Sequence, residues 1–483
     1  MPDSRPNIIL IVADQWRGDC LSIDGHPVVH TPHLDQMALD GVRFNHAYTA
    51  CPSCIPARAA LFTGLTQESH GRVGYKDGVD WDYPVTLAGE LTAAGYQTQA
   101  IGKMHVYPER SQMGFQNVIL HDGYLHFSRR KHAHAPEMVD DYLPWLRREV
   151  GPRADYFDHG VNCNSMVARP WDKEVYLHPT NWAVGEAIDF LRRRDPRKPF
   201  FLFLSFHRPH PPLDPPAWAF EQYIHREMPD VPVGDWVGHF DAWRDPYRHD
   251  LSVGPIDREV LRRARAAYYG QLTAIDHQLN RFFEALADWS VLDESYVLFT
   301  ADHGELLGDH HLHRKTVPYE GSARIPFLLR APRSAGLARG SVCEEPVELM
   351  DVMPTLLDIA GAPIPSTVEG RSCLPLARGE RVPWREYLHG EHTYQGNQSV
   401  QYLTDGRKKY VWFSGDGTEQ YFDLVADPQE LHDLAREERC RDEVAMWRAR
   451  LVEALAGREE GFTDGKALVP GRPVSPCLRS VFG

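Results

Sequence analysis

Four stretches of this chain share one construction: a strand-like run, strongly apolar in all but residues 96–101, closed at once by polar or charged side chains. Residues 7–13 end in Asp14-Gln15, and residues 96–101 end in Gly102-Lys103-Met104-His105. Residues 200–206 end in His207-Arg208-Pro209-His210-Pro211-Pro212, and residues 296–301 end in Asp302-His303-Gly304-Glu305. Unbroken hydrophobicity over this length reads as a strand covered on both faces, the pattern of a parallel sheet. Amphipathic helices are expected between these runs, at residues 31–41, 87–94, 181–193 and 257–288. Ligands of open α/β sheets sit at the carboxyl ends of the strands, so the closing polar groups are candidate site residues.

With 483 residues, the chain has room for one large α/β core and one smaller one. The shift in composition near residue 375 predicts a catalytic domain over 1–375 and a C-terminal subdomain over 376–483. In the latter, short strands at 387–391, 400–404, 409–413 and 420–424 are separated by turn signals and followed by a helix at 429–455. A Pro-rich tail from Gly465 to Gly483 is expected to wrap back over the body.

The net charge of −15 disfavours nucleic acid or an anionic membrane as partner. No window reaches the roughly 18 apolar residues of a membrane span. The first apolar run ends at Asp14 without a basic leader or a small-residue cleavage site, which points to the cytoplasm. Of eight cysteines, only Cys51 and Cys54 are close together. A redox Cys-X-X-Cys pair is one reading of them, and half a zinc site is another, but no second close pair exists to complete it.

Those two cysteines open the segment CPSCIPARAALFTG, residues 51–64, which reads as a turn leading into a short helix stopped by Gly64. Cys54 would then sit at a helix N-terminus, where unpaired N–H groups and the dipole favour negative charge. Arg58 adds a permanent planar cation. A nucleophile set in an anion hole suits hydrolysis of an anionic ester. Lys103 and His105 alternate along a strand exit and could face one pocket, although a solvated lysine and a surface histidine are the plain alternative. His207 and His210, in a proline-stiffened loop, could donate hydrogen bonds to an oxyanion.

Cys-X-Pro-X-Arg followed by a short helical run and Thr-Gly resembles the signature of the type I, formylglycine-dependent sulfatases of the alkaline-phosphatase-like superfamily. The stretch GYQTQAIGKMH resembles their second signature, and His210 fits their Pro-His-X-Pro context. The resemblance implies a large mixed, mostly parallel sheet flanked by helices, with a smaller C-terminal antiparallel sheet. It also implies that Cys54 is oxidised to formylglycine by a formylglycine-generating or anaerobic sulfatase-maturating enzyme. Asp14, Gln15, Asp302 and His303, together with residue 54, would hold a divalent cation. Arg58, Lys103, His105, His210 and Lys315 would surround a small sulfated substrate, with His105 as base and His210 as acid. His310, His311 and His313 would line the rim or bind substrate.

Two positions depart from the commonest family pattern: Gln15 stands in place of an Asp and His303 in place of an Asn. One carboxylate fewer weakens a hard-cation site, and an imidazole favours manganese or magnesium, yet calcium remains the expected ion. A phosphonate monoester or phosphodiester hydrolase of the same superfamily is the nearest rival, since it shares the Cys-X-Pro-X-Arg turn, the Asp-Gln pair and the Arg-Pro-His-Pro-Pro run. The Gly-Lys-X-His motif argues for the sulfatase. A binding protein for anionic sugars, with an unmodified Cys54, is the alternative from another class. Carbohydrate or aryl sulfate is the expected substrate.

Overall fold

The computed structural model describes residues 5–123, 139–244, 252–394 and 398–483. Arg129 and Arg130, considered as possible substrate-wall residues, and the start of a helix expected at residues 137–149 lie outside that set.

The first half of the chain forms β1 (Asn7–Asp14), α1 (Pro32–Leu39), β2 (Gly41–Phe44), β3 (Ala47–Tyr48), α2 (Cys54–Thr63), α3 (Leu87–Ala93), β4 (Gln97–Gly102) and β5 (Asn117–Leu120). Then come α4 (Tyr142–Val150), α5 (Pro179–Arg193), β6 (Phe200–Pro209), α6 (Ala217–Ile224), the long α7 (Arg258–Asp288) and β7 (Ser295–Ala301). After β8 (Phe327–Arg330), β9 (Ser341–Cys343), β10 (Val347–Glu348) and α8 (Val352–Ala360), the chain enters β11 (Leu388–Tyr394), β12 (Gln398–Thr404), β13 (Lys408–Phe413), β14 (Glu419–Asp423) and α9 (Arg441–Ala454).

Eight strands make one mixed sheet in the order β5-β4-β6-β1-β7-β8-β2-β9. From β5 to β7 every pairing is parallel, and β8 runs antiparallel to both β7 and β2. Helices α2, α3 and α8 pack together on one face, and α1, α5, α6 and α7 on the other. Two covered faces explain the unbroken apolar runs. Ile8, Ile9, Leu10, Ile11 and Val12 of β1 are all fully buried, and each is worth about 1.5–3 kcal/mol relative to exposure.

β4, β6, β1 and β7 are consecutive in the sheet, so the four polar strand ends inferred from sequence line up side by side. Against β6, β1 slips register: Ala13 pairs with Phe206, but Asp14 pairs with Pro209. His207 and Arg208 are therefore bulged out, and the His210 N–H donates to the Asp14 carbonyl at 3.0 Å.

Some boundaries differ from expectation. Residues 42–49, read as one strand, split into β2 and β3, and β3 pairs with β10 in a separate two-stranded sheet. The helix expected at 429–455 begins only at Arg441. Before it, Glu430 takes a positive φ of 55°, and its buried carboxylate accepts from Lys409 at 2.7 Å, so tertiary anchoring overrides helical propensity there. The four C-terminal strands form an antiparallel sheet in sequence order, with α9 packed on β12 and β13. The tail returns to the body: Val73 N–H donates to Pro476 O at 3.0 Å and Leu478 N–H to Gly71 O at 2.8 Å.

Gly102 ends β4 at φ +94°, where an added Cβ would lie 1.9 Å from the Ser205 carbonyl oxygen. Gly102→Ala is expected to lower unfolding stability by about 2 kcal/mol or more, because clash adds to positive-φ strain. Gly25→Ala, at φ +81° with open space around it, isolates the strain alone. Equal shifts of the two urea midpoints would show that the contact carries no weight.

Candidate active site

Ser53, in extended conformation, precedes α2, which makes Cys54 its first residue, and Gly64 closes the helix at φ 68°. All ten residues of α2 are buried. Cys54 Sγ lies 3.2 Å from His303 Nε2, 3.6 Å from Asp14 Oδ1 and 3.7 Å from Lys103 Nζ. Burial and the Asp14 carboxylate push its thiol pKa up, but Lys103, Lys315 and His303 outweigh them and the net shift is downward. Residue 54 thus sits where developing negative charge is favoured.

Asp14 and Asp302 are fully buried. Burial opposes the charge on Asp14, but its ion pair with Lys103, helped by His210, His303 and Lys315, holds the carboxyl well below its ordinary range. Asp302 accepts from Arg58 Nε at 2.9 Å and from the backbone N–H groups of Gln15 and His303 at 3.1 and 3.0 Å. Arg58 also donates from Nη1 to the Lys103 carbonyl at 2.8 Å and to Ser205 Oγ at 3.0 Å, while its Nη2 has no hydrogen-bond partner among the described residues. A buried, unpartnered guanidinium nitrogen is a ready place for an anion.

Ligand atoms of Asp14, Cys54, Asp302 and His303 all lie within 4.8 Å of one another. His303 Nδ1 lies 2.9 Å from the Gly304 carbonyl, which can only accept, so Nδ1 carries the proton there and Nε2 faces the cluster. Burial works against charge on His303, but Asp302 outweighs it, and the ring binds a proton more tightly than an ordinary histidine. A divalent cation in the same cleft would take that proton's place. Two carboxylates, an imidazole and residue 54 are a donor set that fits such an ion. Gln15, at φ 72°, is held by its carbonyl accepting from Tyr268 OH at 2.7 Å. Its side chain donates to Glu305 and accepts from Lys315 Nζ at 2.5 Å.

His105 does not continue an extended chain, as the alternation argument supposed. It takes φ 55°, and the Met104 and His105 N–H groups both donate to Asp122, at 2.7 and 2.8 Å. The ring nonetheless shares the field of Lys103, Arg58, Asp14 and Lys315, and neither nitrogen has a hydrogen-bond partner among the described residues. Burial, then Lys103 and Arg58, lower its pKa well below the usual histidine value, leaving a neutral base. His210 Nδ1–H donates to the Pro211 carbonyl at 2.8 Å, and His207 and His210 come within ligand distance of Asp14. Arg208 forks onto Asp214 at 2.7 and 2.8 Å and donates to His207 Nδ1 at 2.7 Å, which fixes that ring's tautomer.

Every residue singled out from the strand ends and the α2 turn thus enters one cluster. His310 and His313 do not line the rim: His310 accepts from Gly234 N–H at 3.1 Å and packs on Trp236, and His313 bonds the Gly254 carbonyl at 2.9 Å. His121 is buried against Asp140 and Tyr142, and Trp171 against His178. Glu305, Asp122 and Ser205 were not picked out as site residues. Glu305 stood in view directly after Asp302-His303-Gly304, whereas Asp122 and Ser205 carry no local signal.

A family model for sulfatases matches residues 6–362, and a second, described as N-sulphoglucosamine sulphohydrolase, C-terminal, matches residues 308–456. The chain belongs to the sulfatase family. It is 50% identical over 475 residues to an arylsulfatase of Clostridium perfringens, covering 98% of both chains. It is 31% identical to the multifunctional alkaline phosphatase superfamily protein PehA of Trinickia caryophylli, covering 89% of this chain and 91% of that one. Among solved structures, the phosphonate monoester hydrolase of Agrobacterium radiobacter superposes with a TM-score of 0.78 at 26% identity, covering 94% and 96% of the two chains. This sulfatase is accordingly a sulfuric ester hydrolase with an α/β fold, and its family implies a divalent metal and a formylglycine.

Glu305 accepts from Gln15 Nε2 and from the Leu307 and Arg314 N–H groups, the last two at 2.9 and 2.5 Å. Glu305→Ala is expected to weaken divalent-cation binding about 10- to 100-fold, the usual effect of losing a residue that orients a ligand. Equilibrium dialysis beside the exposed-site control Glu345→Ala checks it, and equal affinities would remove Glu305 from the site.

Proposed function

We propose that this sulfatase hydrolyses a sulfate monoester, of a carbohydrate or an aryl alcohol, through formylglycine at residue 54. The observation that carries the reading is the position of residue 54, at a helix N-terminus and in contact with Asp14, Lys103 and His303 together. A bound divalent cation would supply Lewis-acid polarisation of the nucleophile and of a sulfate oxygen, held by Asp14, Gln15, Asp302, His303 and residue 54. Calcium is our first choice, and manganese or magnesium the alternatives, because Gln15 removes one negative ligand and His303 adds a nitrogen.

The remaining groups divide the work. Arg58 and Lys103 hold residue 54 and, with Lys315 and His210, surround the sulfate with donors. One hydroxyl of the hydrated aldehyde attacks sulfur, and the S–O bond to the alcohol breaks. His210 hands a proton to the leaving oxygen; a bound anion beside it favours the protonated ring. His105 then takes the proton of the second hydroxyl, the C–O bond to sulfate breaks, and the aldehyde is restored to be hydrated again. Without that second hydroxyl the sulfated enzyme has no such exit.

Among the described residues no disulfide joins any of the eight cysteines, which supports a reducing compartment such as the cytoplasm. Among the described residues no helix is long and apolar enough to cross a membrane. Cys54 requires a maturation enzyme, either a formylglycine-generating or an anaerobic sulfatase-maturating one. The division into a catalytic unit over 1–375 and a C-terminal unit over 376–483 remains our assignment.

Relatives that include a phosphonate monoester hydrolase favour a second reading, phosphonate monoester or phosphodiester cleavage. Lys103, paired with Asp14 and near residue 54, supports the sulfate ester instead. Phenyl sulfate is expected to turn over faster than a phenyl phosphonate monoester at equal concentration, with the peptide spanning residue 54 carrying an aldehyde by mass analysis. Faster phosphonate cleavage would reverse the ranking. A thiol in fully active protein would refute the mechanism, and a thiol in inactive protein that still binds sulfated sugars would favour a binding role. Chelation should abolish turnover and added calcium restore it, whereas recovery with manganese or zinc alone would overturn the choice of ion.

A further inference from the structure

His392 lies outside every motif considered above, on β11 at the edge of the C-terminal sheet. The N–H groups on either side of it leave that sheet: Glu391 donates to the Ala50 carbonyl and Thr393 to the Val73 carbonyl, each at 2.7 Å. Both acceptors belong to the segments around the α2 turn, so β11 is laced directly against the nucleophile loop. Glu391 commits its carboxylate to Arg458, at 2.6 and 2.9 Å, and to Gln401, at 3.0 Å. Strand alternation sends His392 to the opposite face. There its ring is buried, and beyond the Thr393 backbone neither nitrogen has a partner among the described residues, while His303 and Lys315 are among the charges that act on it.

Burial lowers the His392 pKa to about 4, so near neutral pH the ring offers one N–H donor and one bare acceptor nitrogen. Lysine and guanidinium groups around residue 54 only donate. A sulfate group only accepts. With its N–H turned to the Thr393 backbone, the ring's other nitrogen can bond only a donor, which the sulfate lacks and the alcohol half of the ester can supply.

We propose that His392 is a specificity residue of the active site, whose unprotonated nitrogen accepts a hydrogen bond from a hydroxyl next to the sulfate-bearing carbon. The class selected is the sulfate ester with a neighbouring hydroxyl, as in a sugar ring or a catechol. This deepens the sulfatase reading and rests on it.

The test compares 2-hydroxyphenyl sulfate with phenyl sulfate on the metal-loaded enzyme. The unaltered enzyme is expected to prefer the hydroxylated ester in kcat/KM. His392→Ala and His392→Leu should cut that preference about tenfold, mainly through KM, as loss of one hydrogen bond to a substrate hydroxyl would. His392→Asn, which keeps an acceptor, should retain most of it. No preference in the unaltered enzyme, a measurement that needs no variant, would overturn the assignment. So would equal losses on the two esters. An unaltered, aldehyde-bearing enzyme that cleaves neither ester would instead overturn the sulfatase reading together with this one.

Discussion

Two carboxylates without water, Asp14 and Asp302, set the terms for everything around them. Each would cost several kcal/mol if left alone in the interior. Lys103 neutralises the first and Arg58 the second. Arg58 stands one helical turn after Cys54 on the same face of α2, so the pairing that relieves Asp302 also brings residue 54 to the strand ends. The placement of residue 54 and the neutralisation of the buried charge are one event. Ser205 and the Lys103 carbonyl, which share the Arg58 guanidinium, tie β4 and β6 into the same arrangement.

Much of this was legible in the residues. Apolar runs covered on both faces carry their own signature, and each ends where the sheet ends, so Asp14, Lys103, His210 and Asp302 could be named before any coordinates. That they stand side by side was not legible, because strand order depends on how α5 and α7 pack and leaves no mark in the strands themselves. The α2 turn was clear because proline and glycine punctuate it. His105 was placed for the wrong reason: its turn depends on Asp122, a residue 17 positions away that accepts two backbone N–H groups.

The C-terminal part shows where local rules give out. Residues 429–437 have the composition of a helix and form none, because Lys409 and Glu320 claim Glu430 from across the fold. Asp276 of α7 is likewise buried and accepts from the Leu34 N–H at 2.8 Å, at the start of α1. Both cases have the same cause. A buried carboxylate takes whatever donors tertiary packing brings, and sequence spacing does not record them.

The returning tail has a consequence for timing. Cys54 is only 2% exposed once the chain is closed, while the strand and tail that seal its surroundings lie far downstream of it in the chain. Until β11 docks on Ala50 and Val73, and the segment near Cys477 seats against Gly71, the turn lacks its outer wall. Any reagent that is to reach the Cys54 sulfur must therefore do so before these segments close over it.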